Sequence, residues 1–221
     1  MFDIEKYMEQ LIAQLREKFG PRLLYVGLQG SYLRGEATEH SDIDAMVVID
    51  GLCVSDLRAY RSVIESMEHY DRSCGFICGK TDLAAWNPME ICHVLHSTKD
   101  YFGTLSALVP AYTQQDIRNF VKMSVNNLYH EICHRYIHAD AAANREALPF
   151  TYKGVFYILQ NLHYLTSGTF IGTKRELLPR LDGKNHAVLE RAMSLAAGDA
   201  YDFDDSFALL FDWCQETMKA I

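Results

Sequence analysis

The sequence predicts an α/β (α+β) unit built on a small mixed sheet, followed by an all-α helical bundle. Two observations carry this. Short runs rich in β-formers alternate with helical periodicity over the first half, which is the pattern of helices packed on a sheet. After about Pro110 only helical periodicity remains, so the expected division is 1–110 and 111–221. At 221 residues, 49% of them apolar, the chain can bury such cores without disulfide or metal staples.

The elements follow in order. Residues 3 to 19 place Ile4, Met8, Leu11, Ile12, Leu15 and Phe19 at helical spacing, and Gly20-Pro21 ends the pattern. "LLYVGLQ" (23–29) and "DAMVVID" (44–50) are short, rich in β-formers and bounded by Gly or Asp, as buried strands are. A helical stretch from about Ser55 to Glu68 leads to a third strand, "SCGFIC" (73–78). In the second half the helical patterns cover 114–138, 152–168 (closed by Gly168), 185–197 and 205–219. There is no internal repeat and no low-complexity segment.

Composition narrows the partners. A formal charge of -8 argues against a surface that grips nucleic acid through its phosphates. Polyphosphate held through divalent cations suits an acidic site, because the metal supplies the positive charge. The six cysteines show no framework of spacings and read as reduced thiols. "MFDIEKYMEQ" carries acids where a signal peptide would carry a basic head, and no run approaches a membrane span, so the expectation is a soluble cytoplasmic protein.

The chemistry concentrates in "SDIDAMVVI" (41–49). On a strand, residues two apart share a face, so Asp42 and Asp44 project together while Ile43 enters the core. Two ionised carboxylates so placed repel unless a cation lies between them or one is protonated. Mg²⁺, which takes a few carboxylates plus water and phosphate oxygens, is the natural occupant. The plain alternative is a strand that begins only at Met46, with Ser41-Asp42 capping a turn. Upstream, "LLYVGLQ" runs directly into "GSYLRG". A glycine at Gly30 lets the backbone approach a phosphate, Ser31 and the next amides can donate to it, and Arg34 is within reach.

"GSYLRGEATEHSDIDAMVV" resembles the signature of the DNA polymerase β-like nucleotidyltransferase superfamily, in the Gly-Ser-x-x-Arg-Gly … Ser-Asp-x-Asp form of its small bacterial members, aminoglycoside adenylyltransferases among them. Leu33 stands where these relatives commonly have Ala. The resemblance implies that Gly30 and Ser31, with Arg34 and Ser41, bind the triphosphate of ATP or another NTP, and that Asp42 and Asp44 hold two Mg²⁺ ions. Two such metals clamp the attacking oxygen and the leaving pyrophosphate during in-line attack by an acceptor hydroxyl. The reaction implied is transfer of a nucleoside monophosphate, first AMP, to a hydroxyl of a small, antibiotic-like acceptor. A protein hydroxyl is the alternative with the same chemistry, and a non-catalytic nucleotide-binding module the alternative without it. The superfamily usually adds a third acid from a neighbouring strand as ligand or base. "SCGFICG" contains none, so the expectation falls on Asp82 just after it, ahead of Asp71 just before it. The segment "ILQNLHYLTSGTFIGTKRELL" resembles the part of aminoglycoside adenylyltransferases that leads to the nucleotide, which would bring Lys174 to the phosphates.

Other motifs are weaker. "HEICH" (130–134) satisfies H-E-x-x-H, and His138 extends the row, which leaves a zinc hydrolase as a remote alternative. The Gly and third His of the longer zinc-peptidase form are missing. "GFICGKT" (75–81) has one residue too few between its glycines for a phosphate loop. Cys74 and Cys78, with Cys92, His93 and His96, lack the spacing of a structural zinc site. Tyr152, Phe156, Tyr157 and Tyr164 fall at helical spacing and read as core or cleft wall.

Overall fold

The structure is a computed structural model and describes residues 2–221. The chain divides into two compact units, one running to Ala111 and the other from Tyr112 to Ile221.

The first unit opens with α1 (Ile4–Phe19), capped by the Asp3 carboxylate accepting from Lys6 N at 3.1 Å and closed at Gly20 with φ 54°. Its buried residues, Tyr7, Met8, Leu11, Leu15 and Phe19, recur at helical spacing because that stripe covers the sheet. There follow β1 (Leu23–Leu28), the single-turn α2 (Gly30–Arg34), β2 (Ile43–Ile49), α3 (Val54–Ser66), β3 (Ser73–Gly79), the short α4 (Lys80–Ala84), α5 (Pro88–His96) and β4 (Lys99–Phe102). The sheet order is β3-β2-β1-β4, with β2 and β3 parallel and the other pairs antiparallel, so the sheet is mixed as the sequence predicts.

Both sheet faces are covered. Ile43, Ala45, Val47 and Ile49 alternate into one core with α1 and Val63 of α3. Met46 and Val48 enter the opposite core with Tyr25, Cys78, Leu83 and Leu105. Asp44 shares the parity of Met46 and Val48, so it belongs to this second face.

The second unit is helical: α6 (Gln114–His138), α7 (Ala141–Ser167), the one-turn α8 (Lys174–Leu177), α9 (Gly183–Ala197) and α10 (Phe203–Ala220). α6 begins with a capping box in which the Thr113 amide and hydroxyl both donate to Asp116. α7 packs against α6, α9 and α10, with Tyr152, Val155, Phe156 and Leu159 almost wholly buried. It starts eleven residues earlier than the predicted 152, and Pro149 lies inside it. Leu159→Ala is expected to cost about 2–5 kcal/mol, because the cavity forms amid rigid neighbours; urea unfolding of the variant measures it. No described helix is long and apolar enough to cross a membrane.

Candidate active site

The site is built where β1 turns into α2. The amide of Gln29 donates to the carbonyl of Asp44 at 2.8 Å, so the antiparallel β1–β2 ladder runs to its end at the corner. Gly30 then adopts φ 70°, a conformation that suits glycine. A Cβ built there would fall inside the van der Waals envelope of Asp44 Oδ2, with Asp44 Cγ at 2.7 Å and Cβ at 3.1 Å. The Asp44 carboxylate therefore rests directly against the glycine corner. Gly30→Ala is expected to push Asp44 out of place, at a cost of about 1–3 kcal/mol in stability, and to depress nucleotide turnover further than that loss explains. Paired thermal melts and turnover assays separate the two effects.

Asp42 is exposed, just ahead of β2, and Asp44 is half-buried within it, with the fully buried Ile43 between them. The strand thus begins at Ile43 and not at Met46, which puts both acids at its mouth. Burial raises the Asp44 carboxyl above its ordinary range, a hydrogen bond from the Cys74 thiol opposes this, the Asp42 charge adds to it and Arg34 opposes it. At Asp44 burial and the Asp42 charge outweigh the thiol and Arg34, a condition that a divalent cation relieves. Two carboxylates, one of them exposed, fit Mg²⁺, which completes its shell with water and phosphate oxygens.

The remaining predicted residues fall into three groups. Ser31 is the second residue of α2 and half-buried, and Arg34 at its end donates through Nε to Glu36 at 2.9 Å while acting electrostatically on Asp44. Ser41 is committed to its own loop: its hydroxyl accepts from Thr38 N at 2.8 Å, and its carbonyl accepts from Arg72 Nε and Nη2 at 3.1 and 2.8 Å. Lys174 opens α8 in the second unit, its ammonium 5.6 Å from the Phe156 ring centroid.

Asp82 does not join the pair. It caps α4, its carboxylate accepting from Gly79 N at 3.0 Å. Gly79 is paired with Ile49, whereas Asp44 is paired with Cys74, so Asp82 follows the other end of the parallel ladder. Five residues of strand separate the two positions, about 16 Å. Asp71 lies in the exposed turn leading into β3. Among the described residues no three His, Cys, Asp or Glu side chains gather at one metal position.

Three residues of this region carry more than their spacing in the sequence suggests. Cys74 is the strand partner of Asp44 and is hydrogen-bonded to it, so a thiol occupies the neighbouring-strand position where an acid is expected. Partial burial and the Asp44 charge hold that thiol above its ordinary range. His93, on α5, is pushed down to about 4 by burial and then by Arg34 and His96, which makes it a neutral imidazole in the field of Arg34. Arg72 anchors the loop before the acids through Ser41 and the Tyr32 hydroxyl, with its guanidinium over the Phe2 and Tyr32 rings at 5.1 and 5.7 Å. A cleft of about 760 Å³ beside this loop, lined by Phe2, Tyr32, Thr38, His69 and Arg72 among others, includes neither carboxylate.

A mixed sheet with a carboxylate pair against a glycine corner defines a class of proteins that handle nucleoside polyphosphates, and comparison with known proteins makes the class specific. The family model described as "Nucleotidyltransferase domain" matches residues 8–71. Two proteins of Methanocaldococcus jannaschii, each described as a "Putative protein adenylyltransferase", are similar to the chain. One is 33% identical over 79 residues, 31% of this chain and 79% of the relative. The other is 35% identical over 49 residues, 22% of this chain and 33% of the relative. The crystal structure of spectinomycin adenyltransferase AAD(9) from Enterococcus faecialis with ATP and spectinomycin shares the fold, with a TM-score of 0.61 at 12% identity over 98% of this chain and 100% of that one. The chain belongs to the nucleotidyltransferase family and is an adenylyltransferase-like enzyme.

Proposed function

We propose that the protein moves AMP from ATP onto a hydroxyl acceptor and releases pyrophosphate. The observation that carries this reading is the contact between Asp44 and Gly30, which joins a charged pair and a close-approach backbone corner into one site. Gly30 and Ser31 would seat the triphosphate, and Arg34 would neutralise it. Asp42 and Asp44 would hold Mg²⁺. When bound, the ions supply positive charge to the reacting phosphate and to the departing pyrophosphate. Asp44 fixes that charge close to the corner, and the buried Ile43 beside it holds the strand mouth in place. His93, uncharged at neutral pH, offers a hydrogen bond without adding a positive charge to the pocket of Arg34. Ser41 would serve through the loop it closes.

In this reading the first unit carries the transfer chemistry and the second selects the acceptor, with Lys174 assigned to the nucleotide phosphates. A small molecule is the first acceptor proposed, because the fold likeness to the spectinomycin enzyme extends over nearly the whole chain, the helical part included. A protein hydroxyl is the second, favoured by the description of the sequence relatives; the nearer-covered of these matches only 31% of this chain. A screen with α-labelled ATP and Mg²⁺ against aminoglycoside-like compounds and against protein fractions decides. Label on a small molecule supports the first acceptor and label on protein the second. ATP binding with no pyrophosphate from any acceptor would leave a nucleotide-binding module and end the proposal.

A further inference from the structure

The transfer chemistry leaves one cluster of ligating side chains unused. His130, His134 and His138 follow each other at four-residue spacing on α6, and all three are exposed. The buried stripe of the same helix, Ile117, Val121, Val125, Leu128 and Ile132, occupies the core side, so the row faces solvent. The His130 and His134 rings are 6.0 Å apart and nearly parallel, and the His134 and His138 rings are 4.7 Å apart. Two imidazoles binding one ion through nitrogens at about 2.0–2.1 Å, at a roughly tetrahedral angle, place their centroids about 5 Å apart. The two observed separations bracket that value. Exposed side chains change rotamer in picoseconds to nanoseconds, so closing on an ion asks nothing of the backbone.

The neighbouring charges do not obstruct the row. Arg135 donates to the carbonyl of Ala143 at 3.0 Å, which holds its guanidinium to the start of α7. Glu131 accepts from the Thr151 hydroxyl at 3.3 Å. We propose that His134, paired with His138 or with His130, is a surface clamp for a divalent transition-metal ion of the Zn²⁺, Ni²⁺ or Cu²⁺ kind. Imidazole nitrogens select these ions over Mg²⁺, which belongs with the carboxylates. The clamp supplies two protein ligands, and water or the donors of another molecule complete the shell. A catalytic zinc site keeps three protein ligands, so this is a binding site and not a hydrolase centre.

The test is calorimetric titration of the full chain with ZnCl₂ and with NiCl₂, repeated with His134→Ala, Asp44→Asn and Cys74→Ala. His134 belongs to both pairs and is exposed, so alanine there removes the clamp and leaves the helix intact, which circular dichroism checks. With excess MgCl₂ in the buffer to occupy the carboxylate pair, the expected result is one transition-metal ion per chain, weakened at least about tenfold in His134→Ala and unchanged in the other two variants. Equal affinity in His134→Ala overturns the proposal. So does loss of binding in Asp44→Asn or Cys74→Ala instead, or no binding of either metal to the parent chain.

Discussion

Asp44→Asn is expected to lower AMP transfer by on the order of 10³-fold while making the metal-free protein more stable by about 0.5–1 kcal/mol. The two effects have one cause. Burial and the Asp42 charge both disfavour the ionised Asp44 carboxyl in the folded chain, and the neutral amide removes that penalty. The same amide cannot supply the negative charge on which a divalent ion depends. Asp42→Asn is expected to show a similar loss of transfer with a smaller gain in stability, because Asp42 is exposed. Thermal melts without metal, set beside label-transfer rates, test both halves. A variant with normal turnover would remove the carboxylate pair from the mechanism, and one that turned over slowly yet was less stable would show that Asp44 has a structural role.

The corner and the acid pair were legible in the sequence because everything that places them is local. The two-residue period of a strand and the demand for glycine beside a phosphate both act within about fifteen residues. That Asp82 lies away from the pair was not legible, because its position depends on the register between β2 and β3. That register is set by how α3 carries the chain across the sheet, and pairing Asp44 with Cys74 puts Asp82 at the far end. β4 carries no sequence signal for a related reason: "KDYF" is short and polar, and becomes a strand because the edge of β1 offers it partners. α2 and α4 have five residues each, too few for a periodic signal. The first turns of α7 lack a clear apolar stripe and contain Pro149, so the visible pattern began only at Tyr152. His93 reaches the site region through the placement of α5, which the spacing of histidines alone does not reveal.

Cys74→Asp is expected to accelerate transfer by about 10- to 100-fold. The ladder sets residue 74 directly beside Asp44, and the thiol is hydrogen-bonded to that carboxylate, so an aspartate there would present a third acid at the strand position where a metal ligand or a base toward the acceptor hydroxyl is expected. Aspartate is little larger than cysteine and the residue is exposed, so packing does not forbid the change. It does add a third negative charge beside two others, and the metal-free variant is expected to be less stable by about 0.5–1 kcal/mol, a loss that bound Mg²⁺ would reverse. Cys74→Ser is the control: it keeps the size and the hydrogen bond without the charge, and its rate is expected to match the parent chain. If serine slowed transfer well below the parent rate, the thiol itself would be the working group, and the missing acid would no longer account for the site. If aspartate gave no gain while still tightening Mg²⁺, a base would already be present, and the neutral imidazole of His93 would be the first residue to substitute.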